Sequence, residues 1–320
     1  MIEGLRQFRM EDLEAMLPLI EVCEEEDQTG SVPTLEQLRH QASMPGLDAE
    51  KHLFVLPDAS GALIAFGGAV PLPGEGTITL YTMLMVHPAH RAVLLDALLE
   101  IIEARATEWQ AETQQAGVLQ VSLLAKQAPY LELYERHGFR TVRWFLELER
   151  DLEAPIEETP VPPDVVIRPM NLETDVEAYY LALNDSFRDH WNTPEFTLEQ
   201  VRHMLQSPGA RPELTLLAFG PNEEPAGICA NSVRTEHNKQ HNVREGMVST
   251  LGVRRAFRRN GLARALLTRS LRLLHDEDLT SAVLYVDADS PTGATRLYES
   301  VGFIERKRSM VLQKPVGVTP

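Results

Sequence analysis

The sequence predicts a mixed-sheet α/β (α+β) protein built from two tandem copies of one domain, and three observations carry that reading. A Pro-rich, acidic stretch without hydrophobic periodicity, "DLEAPIEETPVPPDV" (151–165), divides the chain nearly in half, as a linker would. The halves begin alike: "GLRQFRMEDLEAML" after residue 3 and "VVIRPMNLETDVEAYYLAL" from Val165 both read as a short strand, a polar turn and an amphipathic helix. They also end alike, with "LYERHGF" (133–139) matching "LYESVGF" (297–303). Matching positions lie roughly 165 residues apart, the unit of a duplicated domain rather than of a solenoid. The expected partition is a first domain over 1–150, a linker over 151–164 and a second domain over 165–316.

In the second copy, a strand at Val165–Arg168 precedes a helix over about Asp175–Leu183, and a second helix follows a loop at Thr197–Gln206. "TLLAF", "AGICANSV" and "GMVSTLGV" read as strands, bounded by turn residues and rich in apolar side chains. The apolar spacing of "NGLARALLTRSLRLLH" then predicts a helix beginning near Asn260. A strand at "AVLYVDAD", a helix at Ala294–Ser300 and a closing strand "SMVLQK" complete the copy. Strands joined partly as hairpins and partly through helices imply a mixed sheet.

The 320 residues, 43% hydrophobic, are ample for two cores. Lys+Arg 30 against Asp+Glu 47, a formal net charge of -17, argues against nucleic-acid or anionic-membrane partners and suits a small cationic acceptor such as an amine. Cys23 and Cys229 are far apart and in no ligand spacing, so neither a disulfide framework nor a metal site is expected; His237 and His241 lie in a polar stretch without a helical pattern. "MIEGLRQFRM" lacks a signal-peptide core, and "AVLLDALLEII" is too short to span a bilayer and carries Asp96; a cytoplasmic location is the expectation.

Against this acidic background, "RRAFRRNGLARALL" (254–267) places four arginines and a glycine at the start of a helix. Amides at a helix N-terminus have no intrahelical acceptor and carry the positive end of the dipole, so the segment suits a phosphate or pyrophosphate. Gly261 admits oxygens to the backbone, and Ala263 keeps the next contact small. Surface ion pairs with the surplus carboxylates are the alternative use of Arg254, Arg255, Arg258 and Arg259.

Arg258-Arg259-Asn260-Gly261-Leu262-Ala263 resembles the acyl-coenzyme A signature of the GNAT (Gcn5-related N-acetyltransferase) superfamily, and "YVDADSPTGATRLYESVGF" is similar to its later coenzyme-binding strand and helix. The resemblance covers both halves and implies two tandem acyl-CoA N-acyltransferase folds, acetyl-CoA as cosubstrate and transfer of an acetyl group to the primary amine of a small molecule. It implies backbone contacts to the pantetheine arm at Leu251 and Val253, in a gap where that strand splays from the strand of Leu284 and Val286. It also implies a thioester-side tyrosine, here Tyr298, and a further arm contact at Ser290, where many members carry Asn. The fused pair stands in for the dimer that single-domain relatives form, implying a monomer.

An attacking amine must be neutral, so a base or a water chain is needed. Glu245, on the alternating face of Ser249 and Leu251, is the carboxylate candidate, with an exposed turn residue as the alternative. Tyr298 is the proton donor to the thiolate, with core packing as the alternative. Asp189, His190 and Trp191 combine charge, a titratable ring and an aromatic face in a loop suited to the acceptor, or else form a helix cap and packing cluster. In the first copy Ala92, Val93, Leu94 and Leu95 replace the expected glycines, with Asp96 close behind to repel a phosphate, so that domain is expected to be degenerate. A non-catalytic acyl-CoA-binding regulator or scaffold is the competing class of function.

Overall fold

The computed structural model describes residues 2–30, 32–72, 77–193, 195–290 and 293–317, and divides into two compact units. Unit 1 is Met1–Trp144 with Ser309–Pro320, and unit 2 is Phe145–Arg308. These bounds differ from a cut at 150. The last strand of each unit comes from the far side of the linker, a long-range pairing that local periodicity does not encode.

Unit 1 runs β1 (Arg6–Gln7), α1 (Leu13–Asp27), α2 (Leu35–Ala42), α3 (Ala49–His52), β2 (Leu53–Pro57), β3 (Leu63–Pro71), β4 (Ile78–Val86), α4 (Arg91–Thr113), β5 (Gly117–Leu124), α5 (Ala128–Arg136) and the start of β6 (Arg140–Asp151). Its sheet order is β1-β2-β3-β4-β5, followed by residues 309–315, which pair antiparallel with β5. One face packs on α4 and α5 through Leu98, Leu99, Ile102, Leu133 and Tyr134; the other packs on α1 through Phe8, Leu19 and Phe66.

Unit 2 contains β7 (Val166–Pro169), α6 (Val176–Phe187), α7 (Leu198–Leu205), β8 (Leu216–Phe219), β9 (Pro225–Val233), α8 (Thr235–His241), β10 (Glu245–Val253), α9 (Leu262–Asp276), β11 (Ser281–Asp287), α10 (Ala294–Glu299) and the first part of β12 (Ile304–Pro315). Its sheet order is β7-β8-β9-β10-β11 and then residues 145–151 of β6, all antiparallel except β10 with β11. A parallel pair needs a crossover, and α9 supplies it. Its Leu262, Leu266, Leu267, Leu271 and Leu274 recur at helical spacing and are almost wholly buried, each contributing roughly 1.5–3 kcal/mol relative to exposure. The opposite face packs α6 and α7 through Tyr179, Leu183, Val201 and Ile228. Residues 153–165 form neither helix nor strand. The stretch read as lacking a helical pattern forms α8, seven residues long.

The duplication is visible in side chains as well as in element order. In unit 1 Arg6 holds Asp12 through two hydrogen bonds (2.8 and 2.6 Å), and Asp12 accepts from the Arg9 amide at the head of the helix. In unit 2 Arg168 holds Asp175 in the same way (2.5 and 2.9 Å), and Asp175 accepts from the Asn171 amide. Among the described residues, no helix is long and apolar enough to cross a membrane.

Candidate active site

The site begins where β10 leaves β11. The two strands pair only over Glu245–Met247 against Ser281–Val283, although β10 continues to Val253 beside β9 and β11 continues to Asp287 beside β6. Beyond Met247 the strands therefore part, the splay that the sequence could not display. The Arg254 amide bonds the Ala226 carbonyl (3.0 Å), so the alternation of an antiparallel ladder turns Gly252 toward β9 and turns Leu251 and Val253 toward the parted edge. The Val253 carbonyl on that edge accepts from Arg258 Nε (3.0 Å).

At the end of β10 the chain makes a short 3-10 turn and then a loop. Arg259 (φ 66°) and Gly261 (φ 91°) both have left-handed backbones just before α9. Such a loop gathers successive amides into an anion-binding concavity. A Cβ at Gly261 would meet nothing within 4 Å, so the glycine is required by its backbone conformation rather than by crowding. Asn260 Oδ1 accepts from the Leu262 amide (3.1 Å), so Leu262 offers no amide to a ligand, whereas Ala263 and Arg264 follow as uncapped first-turn residues.

The arginines divide their work. Arg254 bonds Glu224 (2.9 Å) and the Pro225 carbonyl (2.7 Å), Arg255 pairs with Asp189, and Arg258 is spent on the carbonyls of Val253 and Ser186 (both 3.0 Å). Arg259 is exposed and has no carboxylate partner among the described residues. The cluster read as a phosphate dock is thus mainly a brace for the turn. Partners that the sequence does not place nearby, at the turn into β9 for Arg254 and at the end of α6 and just beyond it for Arg255 and Arg258, engage three of its members.

Tyr298 on α10 is buried in the core on the α9 side, edge-on to Phe303 at 5.8 Å between ring centres. Burial, with Cys229 adding to it, pushes its phenol far above the ordinary tyrosine range. Glu245 is not an exposed turn residue. It is 3% exposed, and its carboxylate accepts from Arg234 and from Arg306 (2.5 Å). Arg306 also bonds Glu147, and Tyr285 donates to Glu147 (2.6 Å), so a polar floor crosses β10, β11 and β6 on the face away from α9. Burial and that bond push the Tyr285 phenol up to about 12.

The loop residues expected to contact the acceptor have partners within the protein. Asp189 faces Arg255, which holds its carboxyl below the usual range. His190 Nδ1 meets Thr193 Oγ1 (2.9 Å) and its ring packs on Phe187, and the Trp191 carbonyl accepts from Thr193. Ser290 lies in the turn after β11, its amide on the Asp287 carbonyl (3.1 Å), and Pro291 and Thr292 lie outside the described residues. The rings of His237 and His241 are 4.4 Å apart, and the described residues contain no group of three or more metal-ligating side chains.

Residues 176–303 match the sequence profile of the Acetyltransferase (GNAT) family. A mycothiol acetyltransferase from Thermomonospora curvata is 30% identical over 266 residues, 82% of this chain and 77% of that one. The chain belongs to the GNAT acetyltransferase family. A mycothiol acetyltransferase from Acidothermus cellulolyticus is 35% identical over 180 residues, a match in which the chain spans about half of the relative's length (53%). A GCN5-related N-acetyltransferase structure from Sphaerobacter thermophilus superposes with a TM-score of 0.71 at 25% identity, covering 99% of this chain and 96% of that one. A tandem GNAT protein from the clavulanic acid biosynthesis pathway shares the fold over 99% of both chains, with a TM-score of 0.72 at 13% identity.

Unit 1 repeats the frame but not the glycine loop. β4 pairs with β5 only over Ile78–Tyr81, and Arg91 Nε bonds the Val86 carbonyl (3.1 Å) as Arg258 bonds Val253. There α4 starts directly at Arg91, so no loop of left-handed residues gathers amides. The Val86 amide, counterpart of Val253, is taken by Tyr130 Oη (3.3 Å), and Arg91 is held by Asp27 (2.7 and 2.8 Å). What remains beside Tyr130 is a cavity of about 260 Å³ lined by Cys23, Asp27, Met83, Met85 and Leu123. The sequence signal for Tyr130 was its place one helical turn before Tyr134, on the same face of α5.

Proposed function

We propose that this chain is an acetyl-CoA-dependent N-acetyltransferase, working at one site in unit 2 on the primary amine of a small molecule. The observation that carries the reading is the continuity of the unpaired edge of β10, at Leu251 and Val253, with the left-handed loop at Arg259–Gly261. Together they form one track with backbone amides for an extended arm and a nest for phosphates.

Acetyl-CoA supplies an activated acyl group: as the amine nitrogen bonds the carbonyl carbon, the C–S bond breaks and the proton lost by nitrogen leaves on the thiol. The chain's part is to hold and orient. Asn260, Gly261 and Ala263 offer backbone amides to phosphate oxygens, and Arg259 adds a charge. An amide on the parted edge, aimed at the developing oxyanion, supplies on the order of 3 kcal/mol. Tyr298, held protonated by its burial, donates a hydrogen bond to sulfur. With both carboxylate oxygens engaged by guanidinium groups, Glu245 acts on the amine through water rather than by direct contact.

The relatives named as mycothiol acetyltransferases make a cysteinyl amine the first acceptor to try. The test is calorimetric titration of the whole chain with acetyl-CoA, followed by thiol-release assays with a panel of amines. Stoichiometry near one and amine-dependent release are the expected results. Binding without turnover of any amine would leave an acyl-CoA-binding regulator or scaffold, and no binding would overturn both readings.

A further inference from the structure

Ser249 is the extra residue of a β-bulge. The register of β9 with β10 shifts between Val248 and Thr250, whereas the corresponding pairing of β3 with β4 runs from Ala65↔Val86 to Pro71↔Leu80 without a shift. The bulge thus belongs to the copy that carries the glycine loop, and it sits where β10 starts to part from β11. Bulges re-aim side chains, and here the exposed Ser249 hydroxyl meets Ser232 Oγ at 2.8 Å. Ser232 stands opposite Met247, on the face away from α9, because the neighbouring Gly246 directs its Cβ position at Leu274 of α9. Tyr298 packs on the α9 side. The unit therefore has a phenol on one face of its sheet and, beside the point where the strands part, a hydroxyl pair on the other.

We propose that the Ser249–Ser232 pair receives the acceptor amine and aims its lone pair into the cleft, an assignment that rests on the acetyltransferase reading above. If Ser249 donates its O–H to Ser232, Ser249 keeps only acceptor lone pairs for the ligand. It then binds the amine through an N–H and leaves the nitrogen lone pair uncovered. Ser249 is the contact residue. Ser232 is a positioning residue that acts by committing the Ser249 proton.

The experiment measures acetyl-CoA affinity and steady-state kinetics of the full chain with S-methylcysteine amide, a cysteinyl amine without a thiol, for wild type, Ser249→Ala, Ser249→Thr, Ser232→Ala and the double alanine variant. Loss of one hydrogen bond should raise the amine KM about fivefold in Ser249→Ala, with acetyl-CoA affinity within about twofold of wild type. Ser249→Thr should restore the KM, and the double variant should be no worse than Ser249→Ala alone, because Ser232 acts through Ser249. Additive effects, an unchanged KM or a parallel loss of coenzyme affinity would overturn the assignment while leaving the acetyltransferase reading intact. A wild type that binds acetyl-CoA but does not turn over this amine or any other overturns that reading and this one with it.

Discussion

Two turns, Val86–Leu95 and Val253–Ala263, start from one plan and end in different chemistry. Each leaves a parted strand, makes a 3-10 turn and pins its last strand carbonyl with an arginine five residues on. In unit 1 the helix starts at that arginine; in unit 2 three residues intervene, two of them left-handed, before the helix begins. So short a loop is what separates the two turns. Tyr130 closes the other half of the unit 1 cleft by occupying the Val86 amide. The comparison teaches that the parted sheet is common to both copies, and that the copies differ in whether the edge amide is claimed and whether a left-handed loop follows the strand.

The strongest way to break this contrast is Gly261→Val. A β-branched residue at φ 91° costs roughly 1–3 kcal/mol of backbone strain, so the loop should rearrange and acetyl-CoA affinity should fall by about 10- to 100-fold in calorimetry. Stoichiometry near two in wild type would instead mean that unit 1 binds despite Tyr130. Tyr298→Phe should lower kcat by about a hundredfold with little change in coenzyme affinity, since it removes only the hydroxyl. The arginines sharpen the contrast. Arg259→Ala should weaken acetyl-CoA several-fold, by about 1 kcal/mol, and lessen the salt dependence of binding, whereas Arg258→Ala should show first as lost thermal stability, since its bonds brace the turn.

The smallest effect tests what the copies share. The Arg168 hydrogen bonds hold the Asp175 carboxyl at about 2, below its ordinary 3.8. That stabilisation is full above about pH 4 and is lost as pH falls toward 2. Discounted for the 38% exposure of Arg168, it amounts to about 1–2 kcal/mol. Denaturant melts should therefore show Asp175→Asn destabilised by that amount at pH 6, with the gap shrinking at pH 3.

The order of elements, the duplication and the glycine loop were legible because each rests on local signals: apolar spacing along α9, matched ends such as "LYERHGF" and "LYESVGF", and a glycine where the backbone must turn left-handed. The sequence alone therefore determined the fold class, the family resemblance and which copy carries the glycine loop. Tertiary structure decided which groups remain available. Arg255 and Arg258 form one cluster with Arg259 in the sequence, but α6 and the residues just after it bring Asp189 and the Ser186 carbonyl to the first two. For Glu245 the sequence leaves open a candidate base or an exposed turn residue, and Arg306, some sixty residues away, holds it in a floor shared with Glu147 and Tyr285. Charge, hydroxyl and carboxylate are properties of residues. Whether such a group is spent on the protein or offered to a ligand depends on partners brought together across the sheet, and pairing between strands distant in sequence leaves no local periodicity to read.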